Sequence, residues 1–170
     1  MKNNLLLFFL FLFFFSDAKS QNDTLVRAAN NSLYIEAGGI AGYGSVNYEK
    51  FLLKKNNFKL VSRIGISTYH LRDYTTRFNP DIIIPLAVNF LFGKNHNVEF
   101  GVGQTFTKIV YSPSFDINPK RKTNLSSNIT IGYRYHKTEG GFVFRCGYTP
   151  IIENNKYFRH WAGISFGFAF

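Results

Sequence analysis

The side chains able to carry out chemistry are few and scattered. Four histidines, His70, His96, His136 and His160, never fall at i, i+2 or i, i+4 spacing, and the lone cysteine, Cys146, has no ligand-type partner nearby. The close pairing from which zinc sites are built is therefore missing, and no metal or other cofactor is expected. No glycine-rich phosphate loop opens a helix, and Gly101-Val102-Gly103-Gln104 lies inside an apolar stretch, where small residues relieve crowding. Hydroxyl and imidazole come together loosely, as Ser67 with His70 and as Ser112 or Ser114 with His160. Such combinations are ordinary in polar connections and do not by themselves define a nucleophile. The stronger signal is charge. Glu36, Glu49 and Glu99 stand at alternate positions of apolar segments, as do Lys59, Arg63, Arg134 and Arg145. A second basic set, Arg72, Arg77, Lys108, Lys120, Arg121, Lys122, Lys156 and Arg159, falls in or beside longer polar stretches that also hold Asp73, Asp81, Asp116 and Glu153.

These residues must be positioned by whatever remains after export. Lys2 precedes an unbroken run of Leu and Phe from Leu5 to Phe15, followed by small and polar residues to Ala18-Lys19-Ser20. Such a run is too short for a membrane helix, which needs roughly 20 residues. It has the layout of a secretory signal peptide over residues 1–20, cleaved before Gln21. Residues 21–32 then form a short N-terminal segment leading into one domain, 33–170. The exported part keeps 18 of the 20 basic and 9 of the 10 acidic side chains, because Lys2, Lys19 and Asp17 leave with the leader. With one cysteine, no internal disulfide staples the fold.

The exported sequence alternates at period two and shows no helical stripe. From Leu125 to His136 the odd positions read Leu, Ser, Ile, Ile, Tyr, Tyr and the even ones Ser, Asn, Thr, Gly, Arg, His. At the end of the chain Ala162, Ile164, Phe166, Phe168 and Phe170 share one face, and Gly163, Ser165, Gly167 and Ala169 the other. Similar patterning predicts eight strands, at about 33–39, 43–52, 58–68, 82–92, 97–109, 125–136, 141–151 and 162–170. Short Gly- and Asn-containing connections at 54–57, 93–97 and 137–140 suit hairpin turns. Longer polar connections at 69–81, 110–123 and 152–159 alternate with them, and 38–42 is a compact exception. Short turns on one side and long loops on the other are the layout of an outer-membrane barrel.

Period two is shared by soluble and membrane barrels, so the content of the faces must decide. The polar face is small, with Gly65, Gly101, Gly103, Gly132, Gly147, Gly163 and Gly167, and it carries the seven charges Glu36, Glu49, Glu99, Lys59, Arg63, Arg134 and Arg145. Glycine suits the crowded interior of an eight-stranded barrel. Buried charges demand partners, so an internal ion-pair network is expected. The other face holds Phe58, Leu60, Ile64, Ile66, Ile84, Leu86, Val88 and Phe90, interrupted by Ser62, Gln104 and Ser127. Aromatic residues collect near the turns (Tyr48, Phe92, Tyr133, Tyr135, Phe170) and near the loops (Tyr69, Tyr148, Trp161). Two such belts match the two interfaces of a bilayer. The expected fold is an all-β, transmembrane, eight-stranded antiparallel up-and-down barrel in the outer membrane.

On the segments Leu33 to Gly39, Ile84 to Gly93, Gly132 to Tyr135, Gly141 to Pro150 and Trp161 to Phe170, the chain resembles the small outer-membrane β-barrel proteins of the Bacteroidota. The resemblance implies outer-membrane location and assembly by the barrel-assembly machinery, with the terminal aromatic Phe170 as the signal that machinery reads. It carries over no catalytic residue. Some eight-stranded barrels modify lipid A, but the His-x-Ser pattern of the deacylases is not present. The expected role is therefore non-enzymatic, in envelope integrity or surface contact, with a lumen filled by side chains. The alternatives are a narrow gated channel for a small or apolar solute and, less favoured, a lipid A-modifying enzyme. Arg72, Arg77, Lys120, Arg121, Lys122, Lys156 and Arg159 suit contact with lipopolysaccharide phosphates. Nucleic acid is not an expected partner, because the net charge of +10 belongs to an exported chain.

Overall fold

The computed structural model describes residues 28–73, 75–111, 120–153 and 157–170. The leader 1–20 and Lys156 lie outside them. Ten strands follow in order: β1 Asn31–Gly38, β2 Gly44–Lys55, β3 Phe58–Ile66, β4 Ile82–Gly93, β5 His96–Tyr111, β6 Lys120–His136, β7 Gly141–Tyr148, β8 Ile151–Glu153, β9 Tyr157–Arg159 and β10 Ala162–Ala169. All neighbouring pairs are antiparallel, and β1 pairs with both β2 and β10, so the sheet closes on itself. β5–β6 pairing completes the ring, and no helix is long and apolar enough to cross a membrane among the described residues.

The wall has eight staves, because β8 and β9 are outward continuations of β7 and β10. Tyr148 pairs with Ala162, Thr149 N–H donates to the Trp161 carbonyl at 2.8 Å, and Ile151 then pairs with Arg159. Pro150 sits at the break between β7 and β8, where it has no N–H to give to a ladder. The expected strand at 141–151 is thus one stave interrupted at residues 149–150, and much of the expected loop at 152–159 is its paired tip. β5 and β6 also run further outward than their apolar alternation does. Lys108 to Tyr111 pair with Thr123 to Lys120, so two polar stretches hold each other in strand form.

Polarity is inverted relative to a soluble domain. Among the described residues, buried polar side chains outnumber buried apolar ones by about two to one, while Leu33, Ile35, Val102, Ile131, Phe142 and Phe168 are at least half exposed on the outside. Two small apolar clusters are buried, Phe51 with Val61 and Leu91, and Ala29 with Val143 and Ala169. Both lie toward the short turns. Ser62, out of place on the apolar face, hydrogen-bonds the Lys50 carbonyl of its cross-strand partner at 3.3 Å, beside an irregularity in β2 between Phe51 and Leu53. Gln104 and Ser127 face each other across β5 and β6, which confines the polar interruption to one rung.

Candidate functional site

The lumen gathers three carboxylates and three guanidiniums, all buried. Glu36 sits on β1, Glu49 on β2, Arg63 on β3, Glu99 on β5, Arg134 on β6 and Arg145 on β7, each reaching inward because it occupies the buried parity of its strand. Arg134 donates through Nη1 and Nη2 to both oxygens of Glu49, each at 2.8 Å. The same guanidinium reaches Glu99 through Nε and Nη2 at 3.1 Å. Arg145 grips Glu99 at 2.7 and 3.0 Å and lies 3.6 Å from Glu36. Arg63 pairs with Glu36 and donates through Nε to Asn47 Oδ1 at 3.0 Å. Three carboxylates meet three guanidiniums, so the network is neutral as a whole. That balance matters, because a buried charge left alone costs several kcal/mol.

Neutral groups complete the coordination. Tyr34 OH donates to Glu49 at 2.8 Å and accepts from Arg145 at 2.6 Å, and the Arg145 guanidinium lies over its ring at 4.9 Å. Ser32 and Asn89 donate to Glu49, and Ser165 to Glu36. The close approach of Tyr34 depends on Gly167, since any Cβ there would collide with the Tyr34 side chain. Tyr34, Asn47 and Asn89 are members that charge-based reading passed over. Their signal is parity, since each stands two residues from another inward-facing side chain of its strand. Lys59 shares the buried face but joins no carboxylate among the described residues. Its ammonium donates to Asn97 Oδ1 at 2.8 Å and to the Gly93 carbonyl at 3.0 Å, which ties the β4–β5 turn to the bottom of the lumen.

Both ends are obstructed. Toward the turns, the fully buried His136 ring lies 4.8 Å from Phe51. At the opposite end, residues Gly39–Ala41 form a short 3-10 turn that folds into the mouth, with Ile40 and Ala41 each 1% exposed. Thr105 Oγ1 donates to the Ile40 carbonyl at 2.7 Å, and Trp161 Nε1 to the Gly42 carbonyl at 3.2 Å. Gly38 and Gly39 both adopt positive φ, which this reversal requires. A residual cavity of about 10 Å³ beside Glu36, Glu99 and Arg145 has room for about one water.

The outer basic residues are spread around the rim. Arg72 and Arg77 lie on the β3–β4 connection, Lys120, Arg121 and Lys122 begin β6 opposite Tyr111, Val110 and Ile109, and Arg159 pairs with Glu153 at 3.7 Å. Lys156 lies outside the described residues. In the same connection Asp73 accepts from the Thr75 hydroxyl, the Asn79 amide and the N–H groups of Thr75 and Arg77. Those bonds, that from the Thr75 hydroxyl foremost, hold its carboxyl below the usual carboxylate range. The Ser67 hydroxyl donates to the Gly44 carbonyl, while His70 bonds Asp81 at 3.0 Å, so the two are engaged separately. His160 is held by the Tyr148 hydroxyl at 2.6 Å, and Ser112 and Ser114 lie outside the described residues. Among the described residues no three His, Cys, Asp or Glu side chains cluster for a metal. Phe170 is 58% exposed on the outer face, with its backbone N–H and C=O both bonded to Asn31.

The sheet closes on itself, charge is sealed inside it, and an apolar surface is turned outward between aromatic belts. Those three features together define the class: the chain is an outer-membrane β-barrel. A solved structure agrees at the level of fold. The N-terminal β-barrel domain of OprF from Pseudomonas aeruginosa superposes with a TM-score of 0.55 at 21% identity, covering 85% of this chain and 100% of that one. The outer membrane protein Ail of Yersinia pestis, determined in a phospholipid bilayer nanodisc, gives 0.48 at 12% identity over 84% of this chain and 99% of that one. No family model and no curated protein matches the chain.

Proposed function

We propose that this barrel is a non-enzymatic component of the outer membrane, serving envelope integrity or surface contact, with a lumen closed by its own side chains. The observation that carries the reading is the neutral Arg63–Glu36–Arg145–Glu99–Arg134–Glu49 lattice, which crosses the interior beside a cavity with room for about one water. Planar-bilayer recording tests it. Purified barrel is expected to give no discrete conductance steps at neutral pH. Reproducible steps that change when Glu99 is replaced would make the lattice a gate and favour the channel reading. Lipid A mass profiles identical with and without the protein are expected; an altered profile would favour an enzyme.

At the outer rim we propose contact with lipopolysaccharide phosphates through Arg72, Arg77, Lys120, Arg121, Lys122, Lys156 and Arg159. Support comes from the excess of bases over acids in these connections and from the strength of charge-assisted bonds to phosphate. During biogenesis, cleavage before Gln21 and reading of Phe170 by the barrel-assembly machinery complete the proposal. N-terminal sequencing from isolated outer membranes should begin at Gln21, and deletion of Phe170 should lower the heat-modifiable folded fraction.

A further inference from the structure

A cleft of about 620 Å³ opens on the outside of the wall, where the outer ends of β1, β2 and β3 meet the connection 67–81. Its floor is a single rung of the sheet, Ile35 against Val46 against Ile66, all on the lipid-facing parity. Its far side is Leu71 and Phe78, which belong to the connection and are 59% and 76% exposed. The cleft exists because the β3–β4 ladder is interrupted. Regular pairing ends at Ile64 with Leu86, Pro85 has no N–H to continue it, and contact resumes at one bridge between Ser67 and Ile83. Beyond that bridge the chain doubles back through an Arg72–Phe78 bridge, closed by the Asp73 turn. This small hairpin stands off the wall and leaves an apolar slot behind it.

Three arginines neighbour the slot. Arg72 and Arg77 each adjoin a lining residue in sequence, and Arg121 donates to Asn79 and, at 3.3 Å, to the carbonyl of Pro80. Two carboxylates, Glu36 and Asp81, belong to the lining, and with Asp73 they are already engaged. Asp73 is held by its own turn, Asp81 by the Val110 N–H at 2.8 Å and by His70, and Glu36 by the lumen arginines. A slot within the roughly 300–1,000 Å³ range of small-molecule sites, apolar inside and cationic at its edge, lies at the loop end of a membrane barrel. One acyl chain beneath a phosphate group matches it in both chemistry and position. We infer that the cleft seats one acyl chain of lipid A, with Arg72, Arg77 and Arg121 on the phosphate above it. The inference rests on the lipopolysaccharide reading of the outer loops and adds to it a defined place for the chain.

Native mass spectrometry of the full barrel in mild detergent tests this, using purified lipid A and, separately, deacylated lipopolysaccharide as probes. The wild-type barrel is expected to bind lipid A one to one. Val46→Trp, which fills the slot from the strand, and Phe78→Ser, which removes its far wall without touching the barrel, should each weaken lipid A binding by about tenfold or more, the scale of losing a few buried methylenes. Both should leave binding of the deacylated headgroup unchanged, and heat-modifiability reports that each is folded. Should Val46→Trp fail to fold, Phe78→Ser carries the test alone. Undiminished lipid A binding by folded slot variants, with loss in Arg72→Glu/Arg77→Glu, would overturn the acyl slot and leave the headgroup reading standing. Failure of the wild-type barrel to bind either probe would overturn both. Equal binding of dilauroyl phosphatidylcholine would overturn the assignment to lipid A.

Discussion

On β6, Ile131 and Arg134 stand three residues apart in one strand and face opposite environments. Ile131 is half exposed on a surface turned to lipid, whereas Arg134 is fully buried and holds two carboxylates from β2 and β5. The outward face is governed by a solvent. Any apolar side chain of tolerable size serves there, and neighbours matter little. The inward face is governed by partners, and its charges are satisfied partly across the lumen, as Arg134 with Glu49, and partly between neighbouring strands, as Arg134 with Glu99. Arg134 and Arg145 lie directly opposite each other in the β6–β7 ladder, an unfavourable like-charge pair that Glu99 resolves by accepting from both. Glu49 and Arg63 are likewise opposite in β2 and β3, yet Glu49 goes to Arg134 and Arg63 to Glu36. A disturbance outside should therefore depend on the lipid, and one inside on closure of the barrel.

The largest effect is expected inside. Glu99→Gln removes the carboxylate that Arg134 and Arg145 share, and the folded barrel should lose about 3–5 kcal/mol in urea titration. The loss should be the same in thin and thick bilayers; a lipid-dependent loss would break the distinction between the faces. Next, Val102→Lys places a charge on the outward rung between Val88 and Ile129 and should cost about 2–4 kcal/mol in a bilayer. That cost should shrink in detergent micelles, where headgroup and water come closer. Thr105→Val removes the bond to the Ile40 carbonyl and the one accepted from Asn128 Nδ2, and should cost about 1–3 kcal/mol. Faster amide exchange confined to residues 38–43 would identify it as loosening of the mouth turn, whereas barrel-wide exchange would not. The smallest effect concerns the Asp73 turn. Because the folded carboxyl is held below its ordinary range, its contribution is present above that range and lost as pH falls through the folded value. Protection of the Thr75 and Arg77 amides should fade in that acidic window and be low at all pH values in Asp73→Asn.

Strand alternation made the architecture readable, since Leu125 to His136 and Ala162 to Phe170 each separate two faces without ambiguity. The stave count and the long and short connections agree with the closed barrel of β1 to β7 and β10. Where pattern faded, boundaries moved. Lys120 to Asn124 have no alternation and become strand because β5 supplies a partner, and the mouth turn at 39–41 reads in sequence as a glycine-rich link. Ile40 gives no local hint that it is buried, because the turn that carries it is held by distant strands, its carbonyl by Thr105, 65 residues away.

Parity along a strand is a property of the backbone, so the chain itself determined which residues share a face, which faces are apolar, and that the whole would close as a lipid-facing barrel. Partnership is a property of shear and closure. Only the assembled tertiary structure decided that Arg134 serves Glu49 and Glu99, and that Lys59 ties down a turn instead of a carboxylate. It also decided that the connection after β3 folds back to open a slot on the wall. These contacts join residues tens of positions apart, and a period-two pattern carries no information about which stave faces which across a lumen.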